Sequence, residues 1–280
     1  MFIHLADRTY STCFITFCKF SYPPEFTIMK TIAIIPARMG SSRFPGKPLA
    51  QLLGYTMLEH VYQRVAMSKS LSATYIATCD ETIRQAATAF GAPVIMTSDS
   101  HERASDRIAE AVAHTDADLI VMVQGDEPMV HPAMIDTAVA PFHTDPELEC
   151  VNLTRRIDDE TDFRNPNTIK VVMDQQGNAL YMTRQPIPTL APGGFGATAV
   201  YKQVCIIPFT RTCLIEYSQL PPTPLEQLES IDMLRLMEHG HHVRMVETSH
   251  DTQAVDTEAD LIRVAGLMAT DPLLAEYRKY

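Results

Sequence analysis

The amino-acid sequence predicts an α/β protein, doubly wound around a mainly parallel sheet with an antiparallel excursion, and three observations carry that prediction. Short apolar runs at residues 32–35, 73–78, 93–96 and 119–123 alternate with segments of helical periodicity, the pattern of strands joined by right-handed crossover helices. A cationic loop leaves the first run and an acidic loop leaves the fourth, so both lie at strand carboxyl ends, where such sheets bind ligands. Beyond Cys150 the runs close up around a turn, which reads as antiparallel strands with a hairpin.

Taken in order, Ile32, Ala33, Ile34 and Ile35 form a buried strand that Pro36 is expected to end. The loop that follows holds Arg38, Arg43 and Lys47 among Gly40, Ser41, Ser42 and Gly46. Three cations within ten residues, in a chain of net charge −11, suit a polyanion such as a chain of phosphates. Unencumbered backbone N–H groups can join them. This is not a Walker A loop: five residues separate Gly40 from Gly46, and Pro48 stands where a Ser or Thr hydroxyl is needed. Helices are expected at residues 57–68, with Leu58, Val61 and Val65 inward, and at 81–90, stopped by Gly91.

Within residues 101–113, Ser105 is expected to cap a helix starting at Asp106, placing free N–H groups and Arg107 where a phosphate or ribose could bind. A cap without a ligand reads the same way. The strand at 119–123 delivers Gln124, Gly125, Asp126 and Glu127, and a carboxylate emerging there suits a hard cation, so Asp126 is read as a magnesium ligand. Glu127 alternates to the other side and reads as structural. In the excursion, strands are expected at 151–153, 169–173 and 179–182, with a turn at 175–178. Such a unit suits a substrate lid or a subunit interface. Arg184, just past the hairpin, suits a carboxylate ligand, although a surface salt bridge is an equal alternative for a lone arginine. In residues 220–238 prolines precede a helix whose core stripe is Leu225, Leu228, Ile231 and Leu234, with Glu226 and Gln227 at its start. Asp256 is expected to end a short apolar strand ahead of a helix and to meet Asp126 across the site, though Asp256 and Thr257 also make an ordinary N-cap. Asp260 reads as structural.

Composition narrows the function classes. At 280 residues and 46% apolar content, the chain can bury a full core as one domain, or as one domain with an insertion. Its net charge of −11 argues against a general nucleic-acid binder. Six cysteines form no CxxC pair, which points to neither zinc nor a disulfide framework and suits a reducing cytoplasm. Residues 1–28 lack a basic n-region and a cleavage site, and their apolar run is too short to span a membrane. They read as an extension, either disordered or a start-site artefact.

The stretch PARMGSSRFPGKPL at 36–49, with QGDEP at 124–128 and VDTEADL at 255–261, resembles the CMP-Kdo synthetase family, the cytidylyltransferases that activate 3-deoxy-2-keto sugar acids. The resemblance extends from about Met29 to about Met268. It implies a Rossmann-like nucleotidyltransferase domain over 29–280, in which the excursion at about 150–202 covers the sugar and forms part of a homodimer. It further implies transfer of CMP from CTP to the anomeric hydroxyl of 3-deoxy-D-manno-octulosonate (Kdo), with Mg²⁺, for lipopolysaccharide or capsule synthesis.

For the residues, the resemblance implies that Arg38, Lys47 and Asp126 are catalytic and that Asp126 and Asp256 hold the metal. CTP would meet Arg38, Ser41, Ser42, Arg43 and Lys47 from the loop, and Ser105, Arg107 and Gln124 from the neighbouring segments. The sugar would meet Arg184, Gln203, Glu226 and Gln227. Two departures stand out. Where the family has Ser-Gly-Thr-Asp-Arg, residues 103–107 read Arg-Ala-Ser-Asp-Arg, and where it has His-Ile-Gly-Ile-Tyr, residues 203–207 read Gln-Val-Cys-Ile-Ile. The second change leaves two alternatives open beside Kdo: another acceptor, such as an amino-Kdo, a different 2-keto-3-deoxy acid or a phosphonate, and a CTP-binding protein without turnover.

Overall fold

The computed structural model describes residues 29–40 and 44–278, so the expectations for residues 1–28 and for Ser41, Ser42 and Arg43 lie outside the described residues. β1 (Thr31–Ala37) leads through a 3-10 turn (Lys47–Leu49) and a small hairpin, β2 (Gln51–Leu52) and β3 (Tyr55–Thr56), into α1 (Met57–Ala66). Then come β4 (Ala73–Thr78), α2 (Glu81–Ala89), β5 (Val94–Met96), α3 (Ala104–Val112), β6 (Leu119–Val123) and α4 (Pro132–Val139). The excursion contributes β7 (Val151–Arg156), α5 (Glu160–Arg164), the hairpin of β8 (Lys170–Met173) and β9 (Ala179–Thr183), and β10 (Tyr201–Val204). β11 (Ile206–Thr210), α6 (Arg211–Gln219), α7 (Pro224–Glu229), α8 (Met233–Glu238), β12 (Arg244–Glu247), α9 (Glu258–Met268) and α10 (Pro272–Tyr277) follow.

The first sheet has the order β11-β6-β1-β4-β5 and is parallel except for β11, which runs against β6. Alternation along β1 sends Ile32 and Ile34 to one face and Ala33 and Ile35 to the other. On the first face they meet Ile108 and Val112 of α3 and Leu214 and Tyr217 of α6. On the second they meet Leu58, Val61 and Val65 of α1 and Met134 and Ile135 of α4. Helices on both faces make the sheet doubly wound, and each fully buried Ile or Leu supplies about 2 kcal/mol of transfer free energy. The second sheet, β12-β7-β10-β8-β9, is antiparallel except where β12 runs parallel to β7. It therefore recruits β12 from well beyond the excursion. The bridge between Cys150 and Phe209 joins the two sheets.

Several local expectations need correction. Pro36 does not end the first strand but lies within β1, paired with Ala77. β6 follows β1 only as far as Ile34, so Pro36 sits where one side of the strand is already unpaired and a missing N–H is tolerated. The helix expected after the prolines of residues 220–238 is broken into two, α7 and α8. Ser230 adopts φ 56, which ends α7 and shifts the phase before α8, so Leu228 is 79% exposed while Ile231 and Leu234 remain buried. No strand precedes Asp256; residues 251–256 form no regular element.

Candidate active site

A cleft of about 610 Å³ opens at the carboxyl ends of β1 and β6 and extends beneath β10 and the start of α8. The cationic loop forms one wall. Gly46, at φ 72, takes a left-handed conformation closed to most side chains, and this turns the chain into the Lys47–Leu49 segment with Pro48 in its first turn. Gly46 N donates to Met39 O at 3.2 Å and Met39 N donates to Asp80 Oδ2 at 2.8 Å, anchoring both ends of the loop to each other and to the neighbouring crossover. Arg38 and Lys47 line the cleft from this side.

The opposite wall begins with the loop after β6. A Cβ at Gly125 would lie 3.0 Å from Pro36 O, a tight contact, so glycine lets this loop press against the end of β1 without displacing it. Asp126 follows it into the cleft. Lys47 Nζ lies 2.8 Å from Asp126 Oδ2 and 3.3 Å from Asp256 Oδ1, one ammonium bridging two carboxylates 130 positions apart in sequence. Val255 N donates to Asp126 O at 2.9 Å and locks the two acidic segments together. Asp256 owes its place to this bond and to α9, whose N-cap is Thr257, bonded reciprocally with Asp260. Asp260 Oδ2 accepts from the backbone N–H of both Asp256 and Thr257, and the residue also lines the cleft.

Glu127 is 7% exposed, and burial, followed by the charge of Asp126, pushes its carboxyl up to about 7. Its Oε2 makes no hydrogen bond. Gln124 lines the cleft, with its N–H on Cys205 O at 3.4 Å.

Ser105 and Arg107 are placed differently from expectation. Arg103, not Ser105, is the N-cap of α3. Ser105 lies inside the helix, fully buried, and its Oγ donates to Asp232 Oδ2 at 2.8 Å, so its hydroxyl is committed away from the cleft surface. Arg107 reaches the cleft wall, but its guanidinium donates to Thr97 Oγ1, Ser98 O and His101 O and so braces the loop before α3.

At the far end of the cleft, Arg184 and Gln203 are present as expected. The Arg184 guanidinium donates to the carbonyls of Glu229, Pro166 and Ser230, which is not the surface ion pair left open from sequence. Gln203 Nε2 donates to Asn152 Oδ1 at 2.5 Å. The orientation is fixed, because Asn152 Nδ2 already donates to Leu153 O and Val204 O and its oxygen can only accept. Ile207, on β11 past the break at Cys205, gives the cleft an apolar surface nearby.

Glu226 and Gln227 do not belong to this wall. Glu226 is 1% exposed and held bidentately by Arg235, at 2.8 and 2.7 Å, while Arg235 also donates to Asp106 Oδ1. Its carboxylate also closes a capping box on Thr223 N. Gln227 is exposed on α7 and outside the cleft lining. The break at Ser230 brings Asp232 and Met233 to the cleft instead, residues that reading the segment as one helix had hidden. Arg103 and Lys202 also line it. Both carried a signal in sequence, Arg103 as the first residue of the Arg-Ala-Ser-Asp-Arg stretch and Lys202 as the neighbour of Gln203.

The profile of the family described as "Cytidylyltransferase" matches residues 32–249, most of the chain and every segment of this cleft except Asp256 and its neighbours. The chain belongs to the cytidylyltransferase family. Among its relatives, the 3-deoxy-manno-octulosonate cytidylyltransferase of Geobacter metallireducens is 45% identical over 245 residues, covering 84% of this chain and 96% of the relative. That of Solibacter usitatus is 43% identical over 238 residues, covering 85% and 94%. A solved structure of CMP:2-keto-3-deoxy-manno-octonic acid synthetase complexed with CTP superposes with a TM-score of 0.80 at 39% identity, covering 86% of this chain and 98% of that one. A 4-diphosphocytidyl-2C-methyl-D-erythritol synthase from Anaerococcus prevotii, 14% identical with a TM-score of 0.61, shares the fold. The cytidylyltransferase matched here thus has the nucleotidyltransferase architecture that the resemblance implied, with the antiparallel sheet at the far end of its cleft.

Proposed function

We propose that the chain transfers CMP from CTP to the anomeric hydroxyl of 3-deoxy-manno-octulosonate, releasing pyrophosphate. The observation that carries this reading is the Lys47 ammonium shared by Asp126 and Asp256 at the strand-end mouth of the cleft. Cations from the β1 loop can neutralise a triphosphate there, and the solved relative described as a CTP complex shares this architecture.

The donor set also fits magnesium. Two carboxylates near enough to share one ammonium offer hard oxygen ligands, and among the described residues no third His, Cys, Asp or Glu joins them. Such a pair suits an ion that takes its remaining ligands from phosphate and water. When bound, Mg²⁺ would supply charge neutralisation at the transferring phosphoryl group. The residues then divide the work. Asp126 and Asp256 hold the ion, Lys47 and Arg38 offset the phosphate charge, and the cleft walls fix the sugar in line with the leaving pyrophosphate.

At the far end, Arg184 supports recognition of the sugar carboxylate, because guanidinium matches its geometry. With three of its N–H groups on carbonyls, one remains on each terminal nitrogen for a ligand. Gln203 keeps its Oε1 for a donor such as a sugar hydroxyl. We further propose a homodimer, supported by the edge strand β9 with Leu180 62% exposed and by the exposed Leu228, on the helix that meets β9 through Glu229. No helix among the described residues is long and apolar enough to cross a membrane.

The test is an acceptor panel with CTP: Kdo, an amino-Kdo, other 2-keto-3-deoxy acids and a phosphonate. The reading expects Kdo to have the highest kcat/KM. A higher value for another acceptor would assign the Gln203 and Ile207 positions to that substrate, and CTP binding with no turnover on any acceptor would leave a binding protein.

A further inference from the structure

Lys170 is fully buried at the start of β8, and none of the roles proposed above uses it. Its Nζ donates to three carbonyls, Asn165 O at 2.8 Å, Thr168 O at 2.6 Å and Arg184 O at 2.6 Å, which consumes all three ammonium protons. Salt-bridge chemistry does not account for it, since every hydrogen bond of its ammonium among the described residues goes to a backbone carbonyl. Burial and the neighbouring Arg184 charge pull its pKa down to about 8, opposed by Glu229 and Asp162, so the ammonium persists at neutral pH against a desolvation cost.

A buried ammonium satisfied only by backbone carbonyls gives up its hydration and in exchange pins those carbonyls in place. Asn165, Thr168 and Arg184 all line the acceptor end of the cleft. The connection then closes on itself. Lys170 holds the Arg184 carbonyl, and the Arg184 guanidinium holds Pro166 O, in the same segment that Lys170 grips from either side. Arg184 Nε reaches Glu229 O at 2.7 Å and Nη2 reaches Ser230 O at 3.4 Å, tying in the helix break that brings Asp232 to the cleft.

We infer that Lys170 is a positioning residue for the acceptor: a tripod that fixes the 165–168 segment and the Arg184 backbone so that the guanidinium meets the acceptor carboxylate in one orientation. The inference rests on the proposed reading of this end of the cleft as the sugar site. Lys170 itself touches no reacting atom. Its loss should therefore weaken the acceptor and spare the nucleotide, whose loop lies across the cleft on β1.

The experiment is steady-state kinetics on full-length Lys170→Met, Lys170→Gln and Lys170→Arg beside wild type, varying CTP and Kdo separately at a temperature where circular dichroism shows each variant folded. Lys170→Met should raise KM for Kdo at least tenfold with KM for CTP within twofold of wild type. Lys170→Arg, which keeps charge and several donors, should recover most of the loss. If Lys170→Met does not fold, Lys170→Gln carries the test, with the same split expected in smaller measure. Equal rises in both KM values, or a lowered melting temperature with both KM values unchanged, would overturn the inference. Wild-type turnover of Kdo distinguishes this failure from failure of the sugar assignment.

Discussion

The Lys47 ammonium lies 2.8 Å from Asp126 Oδ2, and the same nitrogen reaches Asp256 Oδ1 at 3.3 Å. Without a cation between them, two carboxylates brought together by the Val255–Asp126 backbone bond would repel. Lys47→Met removes this bridge together with the proposed phosphate partner. Turnover should fall about 10²–10³-fold, the range for removing one group that stabilises developing charge in a reaction. Calorimetry with CTP should show weakened binding, while circular dichroism remains that of a folded protein because the side chain is at the cleft surface. Wild-type CTP affinity in the variant would contradict this assignment.

Asp126→Asn and Asp256→Asn each keep the shape of the side chain and remove its charge. Both variants should fold and both should lose turnover at every magnesium concentration tried. Near-normal activity in either one would remove that residue from the metal site.

Glu127 gives a pH signature in stability. Its carboxyl is pushed up to about 7 in the folded protein, against 4.5 when unfolded. Between those values the folded state keeps a proton that the unfolded state has released, so this group makes stability fall as pH rises, and above 7 the loss is complete. Glu127→Gln removes the penalty, with a gain of about 3 kcal/mol at pH 8 and almost none at pH 4.5. Thermal denaturation at the two pH values checks this, and a gain that does not change with pH would contradict it.

The Arg235 ion pairs separate a structural role for Glu226 from a role in sugar binding. Arg235→Met strands a carboxylate that is 1% exposed and should cost about 3–5 kcal/mol in urea unfolding. Glu226→Gln should also lose stability, with KM for the acceptor unchanged. A tenfold rise in that KM would return Glu226 to the sugar site.

These residues also show where sequence suffices and where it does not. The alternation of Ile32, Ala33, Ile34 and Ile35 and the stripe of Leu58, Val61 and Val65 are local patterns, and the elements they predicted are those observed. That Arg38, Lys47 and Asp126 face one cleft was legible because both segments leave carboxyl ends of predicted strands. Glu226 was not legible. Its partner Arg235 lies nine positions on, across a helix break set by the φ of Ser230, and nothing in the spacing announces that break. Ser105 failed for a related reason: its hydroxyl found Asp232, 127 positions away, in place of its own helix end. Lys170 carried no motif at all, since its three acceptors are backbone carbonyls whose convergence exists only in the folded excursion.

The most direct test of the central claim is pyrophosphate release with CTP, Mg²⁺ and Kdo, omitting each component in turn and replacing CTP by the other nucleoside triphosphates. Release that requires all three components and prefers CTP is the predicted result. No release with the complete mixture, from protein that binds CTP, would contradict the assignment of this cleft to cytidylyl transfer onto Kdo.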